Sequence, residues 1–180
     1  VQEALKPESP LVHEDITSNK WMENVFSPVI GTNIANLFKI RKGNLEKGFE
    51  EADIIVENTF TQPQVLHVPM ETHNVIAKWS VGNKIKVWSS AQAPFAIRDL
   101  MSVALEIPKQ DIEVIVPFVG GGFGGKAGIH LEPLVALLSK AANGKPVKFC
   151  PTREEESSTL PCRQSLVARI KTGVKKDGKI

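Results

Sequence analysis

The sequence has few cysteines and no long apolar run, and each shortage excludes a class of protein. Only two cysteines, Cys150 and Cys162, occur among 180 residues. Two thiolates are too few for an iron–sulfur cluster, and their separation matches no zinc pattern. We interpret them as free thiols in a reducing compartment. No apolar run approaches the roughly 18 residues of a membrane span, and no signal-peptide pattern opens the chain. We therefore expect a cytoplasmic protein without a membrane partner.

The chain also has little net charge. Its formal charge is +2, and acidic and basic residues are interspersed, so no basic stripe for nucleic acid is present. Four histidines show no H-x-x-x-H spacing, and we predict no metal site built from protein ligands. Glu71 is interpreted as a structural carboxylate rather than a catalytic one. The charged run Arg153-Glu154-Glu155-Glu156 is expected to be a solvated face or a helix start.

What the sequence does have is a glycine-rich segment, GGGFGGK at 120–126, directly after a predicted strand. Five glycines within six residues allow positive φ and a close approach to a bulky polar ligand. Successive N–H groups in such a loop form a concave site for oxygen atoms or anions. Phe123 stands out in a glycine loop, and we interpret its ring as a wall or lid against a flat group.

Two nucleotide-binding motifs fit this loop in part. Gly120 to Lys126 match the first seven positions of G-x-x-x-x-G-K-[ST], but Ala127 supplies no hydroxyl for magnesium. Gly120, Gly122 and Gly125 match G-x-G-x-x-G, yet the following helix starts late and the next strand lacks an acidic terminus. A nucleotide-binding module that uses the loop for phosphates is the alternative function.

The wider context favours a different ligand. A second motif, SSAQAPF, lies at 89–95, and a predicted helix and a predicted strand separate it from the glycine-rich segment. Further motifs accompany the pair: EAL with PLVH within 3–13, GFEEAD at 48–53, HVPME at 67–71, GKPVK at 144–148 and TREE at 152–155. In this order the set resembles the molybdenum-binding subunit of the xanthine dehydrogenase and aldehyde oxidase family of molybdenum hydroxylases. The resemblance covers most of the chain.

The resemblance implies roles for particular residues. In that family the glutamine of the strand-end motif donates a hydrogen bond to the apical oxo group of molybdenum, and the matching residue is Gln92. The glycine loop lies against the same centre, which makes Gly122, Phe123 and Gly124 the matching cofactor-binding positions. Neutral amide and backbone N–H donors suit this task, because they hold an oxo ligand without displacing it. No catalytic residue is assigned within this segment, since the family's glutamate base lies beyond it.

The resemblance also implies the chemistry of the whole protein. It indicates a hydroxylase that oxidises an aldehyde or an N-heterocycle with water as the oxygen source. The implied cofactor is molybdenum–molybdopterin, with the cytosine dinucleotide as one form of it, and [2Fe-2S] and FAD are implied on other domains or subunits. In purine-oxidising members a glutamate follows the lysine of the glycine loop and contacts the substrate. Ala127 occupies that substrate-proximal place here and offers no side-chain hydrogen bond, so we expect xanthine to be a poor substrate.

Periodicity predicts a mixed α/β fold in which helices pack on a mixed sheet. Asn44 is the expected cap of the first helix, and Gly82 with Asn83 marks a hairpin. The predicted helices cover 45–52, 95–106 and a segment from about 130 to 142. The predicted strands cover 53–60, 74–79, 85–89, 112–116, 147–150 and 166–174, the last of them half-buried.

The chain is expected to be part of a longer protein. Residues 1–44 contain prolines and glycines without periodicity, and we interpret them as an extended connector from a preceding domain. Residues 45–180 are interpreted as the N-terminal lobe of a molybdopterin-binding domain, truncated in a hairpin turn at 175–180. The partners expected are the rest of that subunit, the iron–sulfur and flavin domains and a small-molecule substrate. We expect the segment alone to fold but to show no hydroxylase activity.

Overall fold

The computed structural model describes residues 2–14 and 27–180, and their helices and strands lie within residues 45–174. The helices are α1 (Leu45–Glu50), α2 (Pro94–Leu105), α3 (Glu132–Ala141) and α4 (Arg153–Thr159). The strands are β1 (Ile54–Gln62), β2 (Val75–Ser80), β3 (Lys84–Ser89), β4 (Ile112–Ile115), β5 (Val147–Phe149) and β6 (Leu166–Val174). Within these residues, no helix is long and apolar enough to cross a membrane.

The chain divides into two compact units, and the first comprises residues 1–56 and 172–180. In this unit α1 begins where the side-chain oxygen of Asn44 accepts the N–H of Lys47 at 3.1 Å, which confirms the predicted cap. A Cβ added to Gly173 would lie 2.9 Å from the Cβ of Ala52, so the backbone after α1 passes close to that glycine. The predicted turn at 175–180 is present, with the N–H of Lys175 bonded to the carbonyl of Lys179 at 2.8 Å.

The second unit, residues 57–171, contains a four-stranded sheet in the order β4-β3-β2-β5. β2 is antiparallel to β3 and to β5, whereas β3 and β4 are parallel. One row of small and branched residues crosses the sheet in register: Val147, Ala77, Val87 and Val114. The prediction of a mixed sheet is therefore confirmed.

Helices α2 and α3 cover one face of this sheet, because alternate strand residues turn towards them. The residues of β2 and β3 are buried at every second position. Pro94 and Pro133 lie in the first turns of α2 and α3, where a missing N–H costs nothing. The buried core consists of Val75, Ala77, Trp79, Ile85, Val87, Ala91, Ile97, Met101, Ile107, Ile112, Val135 and Ala136.

Strand β6 differs from its prediction. It pairs with β1 in a two-stranded sheet, and its apolar residues Leu166 and Ile170 are 47% and 51% exposed. Alternation in the sequence indicates that a strand has an apolar face, but a covering layer must come from elsewhere in the fold. The described residues supply no such layer, so the prediction of a half-buried strand is wrong for this part of the chain.

Candidate functional site

The two motifs identified in the sequence meet at one edge of the four-stranded sheet. β3 and β4 are neighbours and parallel, so the residues that follow both strands lie at the same edge. Gln92 follows β3, and residues 117–127, here called the glycine loop, follow β4. The backbone N–H of Gln92 donates to the carbonyl of Lys126 at 2.9 Å, which joins the two segments.

The glycine loop has an unusual backbone. Gly121 and Gly124 have φ values of 92° and 95°, and Phe123 between them has φ of 54°. A left-handed conformation costs a non-glycine residue about 1 kcal/mol or more. The ring of Phe123 lies over Gly121, where an added Cβ would lie 3.0 Å from the ring edge. Phe123 is nevertheless 73% exposed, so a strained residue presents a large apolar ring at this edge.

The side chain of Gln92 is held by the loop through its oxygen. Its Oε1 accepts the N–H of Gly124 at 2.9 Å and the N–H of Lys126 at 3.2 Å. Two N–H donors require an acceptor, so they fix which end of the amide is the oxygen. Residues 2–14 and 27–180 provide no acceptor for the NH₂ group. A Cβ at Gly122 would overlap Oε1, so only glycine fits beside this amide.

The sequence-predicted site residues are therefore brought together. Gln92, Gly122 and Gly124 form one contact cluster, and Phe123 lies within the same turn of the loop. Ala127 is exposed at the end of the loop, where its N–H donates to the carbonyl of Gly124 at 3.3 Å. A methyl group is all that its side chain offers.

Sequence reasoning missed the ion pair that anchors both ends of the glycine loop. The Nζ of Lys126 donates to Oε2 of Glu71 at 2.8 Å, and the N–H of Gly120 donates to the same oxygen at 2.7 Å. The N–H of Glu71 in turn donates to the carbonyl of Gly120 at 3.1 Å. Burial raises the pKa of Glu71, but the bonds from Lys126 and Gly120 and the charge of Lys126 outweigh it, and the net pKa lies below its ordinary value.

This ion pair also bears on the nucleotide-binding alternative. In a P-loop the lysine ammonium must reach the phosphates of the nucleotide. The side chain of Lys126 is 0% exposed, and its ammonium is bonded to Glu71. The loop therefore lacks the cation that a phosphate site of this kind uses, and its geometry does not support the alternative.

A second anchor lies behind the loop, at His73. Its Nδ1 is 3.0 Å from Oε1 of Glu156, its Nε2 is 3.1 Å from the carbonyl oxygen of Gly125, and its backbone N–H donates to Oε2 of Glu156 at 2.7 Å. His73 and Glu156 are only 5% and 7% exposed. The ring of His130 meets that of His73 edge-on at 5.1 Å. Burial lowers the pKa of His130, and the charge of His73 lowers it further.

The expected solvated face at 153–156 is therefore wrong for Glu156. Thr152 and Glu155 form a capping box that starts α4, as the helix-start interpretation predicted. Arg153 and Glu156 share one helix face by their spacing of three. The guanidinium of Arg153 donates to the carbonyls of Pro69 and Met70.

Metal-ligating side chains are not clustered in the described part of the chain. No group of three or more histidine, cysteine, aspartate or glutamate residues there is placed to hold a metal ion.

Comparison with known families gives a match over most of the chain. Residues 26–180 match the family model described as the molybdopterin cofactor-binding domain. The chain is 31% identical over 138 residues to the aldehyde oxidoreductase molybdenum-binding subunit PaoC of Escherichia coli K12, which covers 77% of this chain and 19% of that protein.

Two solved structures have the same fold. Quinoline 2-oxidoreductase from Pseudomonas putida 86 has a TM-score of 0.60 and 32% identity over 73% of this chain and 17% of its own. Reconstituted CO dehydrogenase from Oligotropha carboxidovorans has a TM-score of 0.72 and 26% identity over 98% of this chain and 22% of its own. The chain thus spans less than a quarter of each of these three relatives.

Proposed function

This chain belongs to the family of molybdopterin cofactor-binding domains, and from that premise we propose that it holds one side of a molybdenum–molybdopterin centre in an oxidoreductase. When bound, that cofactor supplies the redox chemistry by which a substrate is oxidised with oxygen from water. The residues of this chain bind and orient it and provide fixed dipoles around it.

The orientation of the Gln92 amide is the observation that carries this proposal. Its oxygen is held by the N–H groups of Gly124 and Lys126, so its NH₂ group is the end that can donate to a ligand. A neutral donor can bind an oxygen atom of the cofactor without competing for the metal. Gly122 keeps the amide in place by lacking a Cβ, and Gly124 contributes by orienting it. These residues fit an oxygen-bearing cofactor.

Phe123 supports the same proposal. A ring that is 73% exposed on a left-handed backbone is unfavourable in water, and contact with a flat group would offset that cost. We therefore assign Phe123 to one wall of the cofactor site. Its position beside Gly122 and Gly124 puts the wall next to the amide donor.

The substrate class proposed is an aldehyde or an N-heterocycle. The names aldehyde oxidoreductase and quinoline 2-oxidoreductase carried by two relatives support these two classes. Ala127 is assigned to the substrate side of the loop, where its methyl group cannot make the hydrogen bonds that select a purine. We therefore expect xanthine to be a poor substrate.

The rest of the enzyme is proposed to lie outside this chain. Residues 1–44 would be the connector from a preceding domain, and residues 45–180 the N-terminal lobe of the cofactor-binding domain. The remaining lobe would supply the catalytic base and further pterin contacts, and iron–sulfur and flavin domains or subunits would receive the electrons. The name molybdenum-binding subunit, which PaoC carries, supports this division of labour.

Metal and pterin analysis of the complete protein tests the proposal. The purified protein should contain stoichiometric molybdenum, measured by mass spectrometry, and a pterin that is fluorescent after oxidation. It should oxidise an aldehyde or an N-heterocycle faster than xanthine. A folded protein that contains neither metal nor pterin after expression in a host that makes the cofactor would overturn the proposal, and ATP binding in its place would restore the nucleotide alternative.

A further inference from the structure

The buried histidine behind the glycine loop has acceptors at both ring nitrogens. Nδ1 of His73 is 3.0 Å from a carboxylate oxygen of Glu156, and Nε2 is 3.1 Å from the carbonyl oxygen of Gly125. A carbonyl oxygen only accepts hydrogen bonds, and so does an ionised carboxylate. Nε2 of His73 is therefore the donor to the carbonyl of Gly125. The carboxylate of Glu156 holds the ring on its other side.

The carboxylate of Glu156 is well placed to hold this ring. One of its oxygens faces Nδ1, and the other accepts the backbone N–H of His73 at 2.7 Å. Both residues are more than nine-tenths buried, so water does not compete for these bonds. Burial lowers the pKa of the neighbouring His130 ring. The bonds to Glu156 therefore hold the ring of His73 in position beside the loop.

The peptide unit between Gly125 and Lys126 is held from two sides. Its carbonyl oxygen lies 3.1 Å from Nε2 of His73. Its N–H donates to Oε1 of Gln92 at 3.2 Å. Rotation of this peptide would break both bonds together, so the orientation of one end controls the other.

We propose that His73, held by Glu156, is a positioning residue for Gln92. It fixes the carbonyl of Gly125, this fixes the N–H of Lys126, and that N–H orients the amide of Gln92. This inference rests on the proposed function, because the amide matters only if it faces a cofactor. His73 itself contacts neither cofactor nor substrate. This series of contacts begins at Glu156 on helix α4, passes through His73 and the Gly125–Lys126 peptide, and ends at Gln92 on the cofactor side of the loop.

Two substitutions of the same residue separate positioning from general stability. In His73→Gln the side-chain amide nitrogen can occupy the place of Nε2 and still donate to the carbonyl of Gly125. In His73→Asn the shorter side chain reaches only the place of Nδ1. Both variants remove the imidazole ring, so a purely structural role predicts similar effects from the two.

The first readout is hydrogen–deuterium exchange in the peptide covering 120–127, measured by mass spectrometry on the complete protein. Leaving the buried carbonyl of Gly125 without its donor corresponds to roughly a 5-fold to 100-fold faster opening, so exchange at Lys126 should accelerate by at least about 5-fold in His73→Asn. In His73→Gln it should stay much closer to the wild type. This readout needs no cofactor, so it tests the positioning even where the proposed function fails.

The second readout is turnover at full molybdenum occupancy. His73→Asn should lower kcat with little change in KM, and His73→Gln should recover most of it. Equal exchange in the two variants, or slow exchange in His73→Asn, would overturn the inference. Where neither variant folds, Glu156→Gln gives the same readout: faster exchange at Lys126 supports the inference, and unchanged exchange contradicts it.

Discussion

Removing Glu71 should destabilise the domain far more than removing its partner, Lys126. The ammonium of Lys126 is 0% exposed, whereas the side chain of Glu71 is 34% exposed. In Glu71→Ala the buried ammonium keeps its charge and loses the carboxylate that pairs with it, and the N–H of Gly120 loses its acceptor. Breaking a fully buried pair in this way costs about 3–5 kcal/mol, and the partial exposure of Glu71 places the expected loss at the lower end of that range.

The reverse substitution leaves a less costly defect. In Lys126→Met an apolar side chain of similar length fills the buried site, and the carboxylate of Glu71 can still be hydrated and still accept the N–H of Gly120. The loss should be about 1 kcal/mol. In the double variant no charge is left unpaired, so its stability should exceed that of Glu71→Ala alone.

Differential scanning calorimetry of the complete protein measures this order. The melting temperature of the transition that includes this domain should decrease several-fold more in Glu71→Ala than in Lys126→Met. The decrease in the double variant should lie between the two. Equal effects of the two single variants, or a larger effect of Lys126→Met, would refute the reasoning from burial.

Two other predictions concern stability. The pKa of Glu71 is lowered in the folded state, so its contribution to folding stability is complete above the ordinary carboxyl pKa of about 4.3 and is lost as the pH falls through the lower, folded-state value. Acid should therefore lower the melting temperature of the wild type more than that of Lys126→Met. Melting temperatures that fall in parallel as the pH is lowered would contradict this. Gly144 and Gly82 have φ of 78° and 75°, but only a Cβ at Gly144 would meet backbone, 2.7 Å from the carbonyl oxygen of Trp79. Gly144→Ala should therefore lower the melting temperature clearly more than Gly82→Ala, which adds only left-handed strain of about 1 kcal/mol. Equal decreases for the two variants would disprove the steric argument.

Local signals explain why much of the fold could be predicted from the sequence. Gly82 and Asn83 both adopt positive φ, and glycine and asparagine are the residues that tolerate it, so two adjacent residues were enough to predict the hairpin. Pro133 marked the start of α3 in the same way. For β6 the sequence shows only the alternation of apolar residues, and whether a layer covers that face depends on distant parts of the fold.

The same limit applies to the site. Gln92 and the glycine loop follow adjacent parallel strands, and both lie in sequence motifs typical of the family. The anchors of the loop had no local signal, since Glu71 and Lys126 are 55 positions apart and His73 and Glu156 are 83 apart. A carboxylate in an acidic run is expected to be solvated until its partner is known. Glu71 was predicted to be structural, but its pairing with Lys126 and that of His73 with Glu156 were missed. The residues assigned to the ligand do lie together, and their role stays a prediction.

The proposed site depends on the NH₂ group of Gln92 as a donor, and Gln92→Glu tests this role most directly. Glutamate keeps an acceptor for the N–H groups of Gly124 and Lys126 but removes the donor, so the loop should survive. Gln62→Glu, on the exposed strand β1, is the matched control. With molybdenum content and melting temperature measured alongside, Gln92→Glu should lower turnover by about 10²–10³ while Gln62→Glu leaves it unchanged. Wild-type turnover in Gln92→Glu at full molybdenum occupancy would contradict the central claim.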